Sequence, residues 1–356
     1  MALSKVNPNF VNQLGRRNLI INGDMRIAQR GTGAFTANSS FPVDRWNIIS
    51  NATDFTTTQD SAVPTGKGFT NSIKIQPTAT KSPSGSTYSR LGYSIEGYDG
   101  VSLRWGTSGA KTATISFWVK SSVTGTYSIC VKNGAANRSV VQDYTISVAD
   151  TWEYKTITIP PETSGTWDSV NGRFAYIDIW LAGQGSQTST TGSWLSSNAN
   201  MSNNQVNFFS STSNTFNITG FQFEVGSVAT DFEHRSYGEQ LAACERYFQK
   251  FGGTAYATIA SGMQPNTTNA KFHLSYRQEM RSAPSITIGV GSTVADLIVT
   301  DRTAFDQVLS GLSGNTAGKT SAYLSAQYSA VGATGRGILL AVKSGTTTTL
   351  NLDAEL

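Results

Sequence analysis

From about Asn18 onward the chain is built of short segments in which apolar and polar residues alternate, each closed by a cluster of Gly, Asn, Ser or Pro, and this rhythm is interrupted only once. A period of two sends one set of side chains to a buried face and the other outward, so each segment reads as a half-buried strand. In Thr112–Val119, the residues Ala113, Ile115, Phe117 and Val119 face one way, and Thr114, Ser116 and Trp118 face the other, toward the second side of the sheet or solvent. Thr126–Val131, Tyr154–Ile159, Phe174–Leu181, Val206–Phe209 and Thr215–Val225 repeat the pattern with β-branched and aromatic residues. Only 14% of the residues are charged, well below the ~25% of an ordinary globular protein. The difference is made up by 34 glycines and an excess of Ser, Thr and Asn, the chemistry of turns. A length of 356 residues with 38% hydrophobic content is enough for two domains, each of roughly 150 residues with its own core.

The interruption is at Ser236, where Glu239 follows three residues later in the pattern of a capping box. Tyr237, Leu241, Cys244, Phe248 and Phe251 then recur at helical spacing and Gly252-Gly253 supplies a stop, which predicts one helix over Tyr237–Phe251. Its Leu241/Cys244/Phe248/Phe251 seam suits either a short coiled coil or packing on a sheet. Strands resume at Tyr256–Ala260, Lys271–Tyr276, Ser285–Val290, Ala295–Thr300, Ser321–Ser329, Gly337–Lys343 and Thr347–Leu352. The expected architecture is all-β: two jelly-roll-like β-sandwich domains, residues 18–235 and 253–356, joined by a helix at 236–252 and preceded by an extended arm at 1–17.

Twenty-seven basic against 23 acidic side chains leave a net charge of +4, scattered along the chain apart from Arg16-Arg17. No basic stripe marks a nucleic-acid partner, and no apolar run approaches the ~18 residues of a membrane span. The N-terminus has no apolar signal core, so the chain reads as soluble and without a secretion signal of its own. Cys130 and Cys244 lie 114 positions apart with no CxxC, which excludes a zinc or redox motif by count and makes two buried free thiols the default over a disulfide. His234 and His273 are the two histidines, and no G-x-S-x-G elbow accompanies them. Gly31-Thr-Gly33 and Gly289-Val-Gly291 lack the further Gly and Lys of a phosphate loop. A carboxylate pair for glycoside hydrolysis needs only two acids at the right separation, which spacing alone does not exclude.

Aromatic side chains are the better lead, because sugars bind by laying their apolar C–H faces on exposed Trp or Tyr rings. Trp46 and Trp152 read as core or edge packing. Trp167 and Trp194 stand in polar loops, the latter within the long Ser186–Asn204 stretch, and Trp180 shares a strand face with Tyr176 and Asp178. These three are the candidate glycan contacts, with hydrophobic plugging of the loops as the other reading of the same rings. Asp24 and Glu224 come from the first and last strands of the first domain, which often lie side by side, and their oxygens could hold a structural Ca²⁺. Ion pairing with Arg26 or Arg45 is the other use open to them.

Three stretches together resemble a known family: Arg17–Arg26 (RNLIINGDMR) with Gln29-Arg-Gly31, Val43-Asp-Arg-Trp46, and Gly220–Glu239 running into Cys244–Phe248. The combination is similar to structural and tail-fibre proteins of tailed bacteriophages, whose first domain resembles carbohydrate-binding jelly rolls. The phrase Thr114–Ser122 (TISFWVKSS) fits as well, the last hundred residues match only at the ending Leu352–Leu356, and the opening Met1–Val6 resembles short virion-attachment pieces. The resemblance implies a non-enzymatic tail-fibre or receptor-binding protein of the virion, assembled in the host cytoplasm and released by lysis. Residues 1–17 would join other virion proteins, the first sandwich would recognise host-surface glycan, and the helix seam would support a homotrimer. Two other readings stay open: a head or tail structural or decoration protein touching only virion components, and a tail-associated glycan hydrolase. No catalytic residues travel with the resemblance.

Overall fold

A computed structural model of the chain describes residues 16–51, 54–82, 88–183, 188–289, 291–302, 306–329 and 334–356. Most of the expected attachment arm, residues 1–15, lies outside the described residues. The chain divides into two compact units between Gln240 and Leu241.

The first unit contains β1 (Ser40–Val43), β2 (Trp46–Ser50), β3 (Phe55–Asp60), β4 (Ser72–Pro77), β5 (Ser89–Glu96), β6 (Ala113–Ser121) and β7 (Gly125–Asn133). It continues with β8 (Ser139–Ile146), β9 (Glu153–Ile159), β10 (Arg173–Ala182), the two-residue β11 (Thr188–Ser189) and β12 (Met201–Ser202), and β13 (Phe216–Val225). A six-stranded sheet in the order β1-β2-β5-β10-β7-β8 and a five-stranded sheet in the order β3-β4-β13-β6-β9 make a sandwich. The chain crosses repeatedly between the two sheets, in jelly-roll fashion. The alternation read from Thr112–Val119 holds: Ala113, Ile115, Phe117 and Val119 are fully buried between the sheets, and Trp118 is on the outer face. Trp46 is a core residue, with Tyr93 at 4.9 Å and Phe221 at 5.0 Å between ring centroids, and its indole N–H donates to the Asn22 carbonyl. Val206–Phe209, expected as a strand, instead leads into a 3-10 turn at Phe208–Ser210, capped by the Asn207 side chain. Asn18–Gly23 runs along β13, with Leu19 N–H bonded to Phe223 O and Phe221 N–H to Gly23 O, so the first and last segments of the unit do lie side by side.

The helix is shorter than expected, ending at Glu245. Its start follows the sequence: Ser236 Oγ accepts from Glu239 N–H while the Glu239 carboxylate accepts from Ser236 N–H. Past the end, Tyr247 N–H turns back to Cys244 O, and Gln249 Nε2 donates to the Glu245 carbonyl. Phe248 and Phe251 therefore belong to a strand, β14 (Phe248–Gly252), paired residue by residue with Thr349–Asp353. Cys244, Phe248 and Phe251 are buried and Leu241 is half-buried, so the four residues form no continuous helical stripe open to a partner chain.

The second unit adds β15 (Thr258–Asn266), β16 (Asn269–Ser275), β17 (Ser285–Ile288), β18 (Leu297–Thr300), β19 (Asp306–Ala317), β20 (Ser321–Tyr328), β21 (Gly337–Val342) and β22 (Thr349–Asp353). The all-β class holds here, but the larger sheet closes on itself as a barrel, β15-β16-β20-β19-β18-β21, beside a three-stranded sheet β14-β22-β17. Closure follows because β15 pairs with β16 on one side and β21 on the other, leaving no edge. Phe272, Leu324, Leu340, Leu297 and Val299 fill its interior. Strand β19, absent from the expected set, is disguised by its Ser-Gly-Leu-Ser-Gly-Asn run, which has the composition of a loop. Among the described residues no helix is long and apolar enough to cross a membrane.

Candidate functional site

The three tryptophans singled out in the sequence go to two different places. Trp167 and Trp194 meet with Trp105 at one end of the sandwich, with ring centroids 4.9 to 5.6 Å apart in edge-to-face packing. Each indole N–H is engaged with a backbone carbonyl: Trp105 with Lys111, Trp167 with Ser164, Trp194 with Pro160. A cleft of about 590 Å³ beside Trp167 has Arg104, Asp168 and Phe174 in its walls. The Asp168 carboxylate there already accepts from the N–H groups of Val170 and Gly172. The three rings pack against the core at that end of the sandwich, with Trp105 buried and Trp167 and Trp194 half-buried.

Trp180 corrects the sequence expectation. It lies on the outer face of the six-stranded sheet, as its phase requires, but it is fully buried, because the segment that follows β10 folds back over that face. Ala199 and Met201 pack with Trp180, Cys130 and Val141, and the segment is pinned by Leu195 to Ser139 and by Ser202 N–H to Ser128 Oγ. Under it lies a charged group: Asp178, 1% exposed, has Arg90 Nε at 3.0 Å and Lys132 Nζ at 3.3 Å, and Lys132 also donates to Asn200. Burial pushes the Cys130 thiol up to about 12, so it stays protonated. Both cysteines are buried and neither forms a disulfide.

The open counterpart is on the other sheet. Trp118 of β6 and Tyr154 of β9 are direct cross-strand partners on the outer face, with ring centroids 5.3 Å apart, and Tyr154 is 43% exposed. They floor one side of a groove of about 440 Å³ whose other walls are Lys67, Phe69, Asp231, Phe232 and His234. Phe69 packs edge-to-face with Phe232 and tilted against His234, forming an apolar wall beneath an exposed imidazole. This wall can lie close to the sheet because β13 kinks at Gly220 (φ 62°), where a Cβ would come within 2.5 Å of the Phe69 ring. Two adjacent rings with polar groups at the rim are the makings of a saccharide platform. The phase of Trp118 was visible in the sequence. Its exposure was not, since that depends on no later segment folding over it.

Asp24 and Glu224 are both buried and both engaged with cations or N–H and O–H donors. Asp24 Oδ2 is 2.5 Å from Arg26 Nε. Glu224 accepts from Thr230 N–H, Thr230 Oγ1 and Gln222 Nε2, with Arg17 Nε at 3.7 Å. Among the described residues no cluster of three or more His, Cys, Asp or Glu could hold a metal ion.

No family model matches the chain, and no curated protein does. Among solved structures, the enzymatically active domain of tailspike protein 4 from bacteriophage CBA120 matches at 16% identity with a TM-score of 0.33, over 59% of this chain and 21% of that one. The module TmCBM61, solved with β-1,4-galactotriose, matches at 12% identity and a TM-score of 0.31, over 59% of this chain and all of its own. A family 11 carbohydrate-binding module of a Clostridium thermocellum cellulosomal cellulase matches at 15% identity and a TM-score of 0.29, over 58% and 99% of the two chains. These likenesses are remote, and this chain spans about a fifth of the tailspike domain.

Proposed function

We propose that this chain is a tail-fibre or receptor-binding protein of a tailed bacteriophage and that its first sandwich recognises glycan on the host surface. The observation that carries the glycan reading is the cross-strand Trp118–Tyr154 pair, a half-buried and an exposed ring side by side on a rigid sheet beside a groove with a polar rim. A flat aromatic floor suits the apolar face of a pyranose, and a sheet holds it without an ordering cost at each encounter. The virion assignment is supported by the sequence motifs at Arg17–Arg26, Val43–Trp46 and Gly220–Glu239. We take the protein to act by binding alone: among the described residues Asp231 is the one carboxylate lining the groove, and glycoside hydrolysis ordinarily uses a pair. Several copies per particle, as in a homotrimer, would let a shallow site hold a cell by avidity. The test is retention of fluorescently labelled protein on intact host cells and on cells stripped of surface polysaccharide, alongside Trp118→Ala. Saturable binding lost on stripping and lost in the variant is the expected result. Equal retention by stripped cells would turn the assignment toward a virion component that contacts only other virion proteins.

A further inference from the structure

The outer face of the five-stranded sheet gathers lysines that the sequence keeps far apart. Lys120 follows Trp118 by two residues on the same face of β6, and in register Lys120, Asn217 and Lys74 form one cross-strand row. At ~4.8 Å per strand, Lys74 and Lys120 are about 10 Å apart, next to the row that carries Tyr154 and Trp118. Lys67 reaches the same place from a loop. It stands between Gly66 and Gly68, both in the left-handed region at φ 72° and 78°, and the His234 imidazole lies against the space a Cβ on Gly68 would take. That turn holds the Lys67 ammonium 5.3 Å from the Trp118 ring centroid, and Lys120 lies likewise 5.5 Å from Trp152.

Several other cations of this unit have carboxylates: Arg90 and Lys132 share Asp178, Arg138 has Glu162, Lys155 has Glu153 and Lys81 has Asp54. Among the described residues, Lys67, Lys74 and Lys120 have no carboxylate within ion-pair distance. The acids nearby are Asp231 on the groove wall, Glu224 on the same face of β13, which accepts from Gln222 and Thr230, Glu233, which accepts from Arg17, Asn18 and Arg235, and Asp60 at the far edge of the sheet, which is turned to the Ala62 N–H. A positive field beside an aromatic floor complements a ligand with a negative group on a sugar ring, and a cation resting over an exposed ring is a weak contact, readily exchanged for an anion.

We propose that the Trp118–Tyr154 groove takes an anionic saccharide, with a ring laid on the aromatic pair and its carboxylate or sulfate met by Lys67, while Lys120 and Lys74 extend the positive track along the sheet. This rests on the reading of the groove as a glycan site. Calorimetric titration of the full chain with an oligogalacturonate, its carboxyl-reduced neutral form and a sulfated version of that neutral form tests it. At low ionic strength one or both anionic sugars bind about tenfold tighter than the neutral one, and roughly 0.5 M salt removes the difference. Which of the two anionic sugars gains tells carboxylate from sulfate. Lys67→Ala and the Lys67→Ala/Lys74→Ala/Lys120→Ala triple variant lose the preference for an anionic over the neutral sugar, whatever their affinity for the neutral form, and circular dichroism shows both folded. Equal affinity for all three sugars in the wild type, a preference that survives in the triple variant, or tighter capture of a single-stranded oligonucleotide than of either anionic sugar overturns the proposal and leaves the glycan site standing. Binding of none of the sugars removes the glycan reading along with it.

Discussion

Trp118 and Trp180 occupy equivalent positions in the two halves of one sandwich. Each projects outward from a central strand, each alternates with buried aliphatics, and each lies close to a cation, Lys67 at 5.3 Å and Arg90 at 5.4 Å from the ring centroid. Trp118 is half-buried beside an open groove, and Trp180 is fully buried. The difference is made by Leu195–Ser202, which seals the six-stranded face over Trp180, Cys130 and the Arg90–Asp178–Lys132 group. On the sealed face charge is paired and aromatic surface is buried, which are the conditions for stability. On the open face lysines lack carboxylates and rings meet solvent, which are the conditions for recognition.

The comparison can be broken most severely on the sealed side. Trp180→Ala leaves a large cavity under Met201 and costs ~3–5 kcal/mol in chemical denaturation, with no change in glycan affinity under conditions where the variant is folded. Asp178→Ala strands Arg90 and Lys132 without a counter-charge and costs ~3 kcal/mol by the same measurement. If either variant lost binding at unchanged stability, the sealed face would be the functional one. On the open side Trp118→Ala changes unfolding free energy by only about 1 kcal/mol, because little of the core touches that ring. The smallest effect is the response to acid. Burial raises the Glu233 carboxyl, but the N–H groups of Asn18 and Arg17 and the Arg235 side chain outweigh it and hold the group below its ordinary 4.5. Its contribution is thus present above the unfolded value and lost as pH falls through the lower folded one, so melting temperature drops modestly on acidification below about pH 4.5 and Glu233→Gln flattens that drop.

Strand alternation made the first sandwich legible, because burial on one face of a sheet imposes a period of two whatever the neighbouring strands are. It also put Trp118 and Trp180 correctly on outer faces. What it could not supply was the cover, which comes from a segment about twenty residues beyond Trp180 that reads as an unstructured polar stretch. The helix failed for a related reason. Phe248 and Phe251 continue a helical spacing, yet they are also good strand residues, and the partner that decides the matter, Thr349–Asp353, is a hundred residues away. The barrel of the second unit is likewise a fact of pairing between β15 and β21 that no local pattern announces. For the candidate site, the phase of Trp118 was readable, while the convergence of Lys67, Lys74, Lys120 and His234 on one face depends on the order of strands in the sheet.

The most direct test is a side-by-side affinity measurement on host-surface polysaccharide for Trp118→Ala, Trp167→Ala and the wild type, each shown to be folded. A loss of about 30-fold, ~2 kcal/mol, in Trp118→Ala with Trp167→Ala near wild type is the predicted result. Undiminished binding by Trp118→Ala, with the loss appearing in Trp167→Ala, would contradict it and move the recognition site to the end of the sandwich.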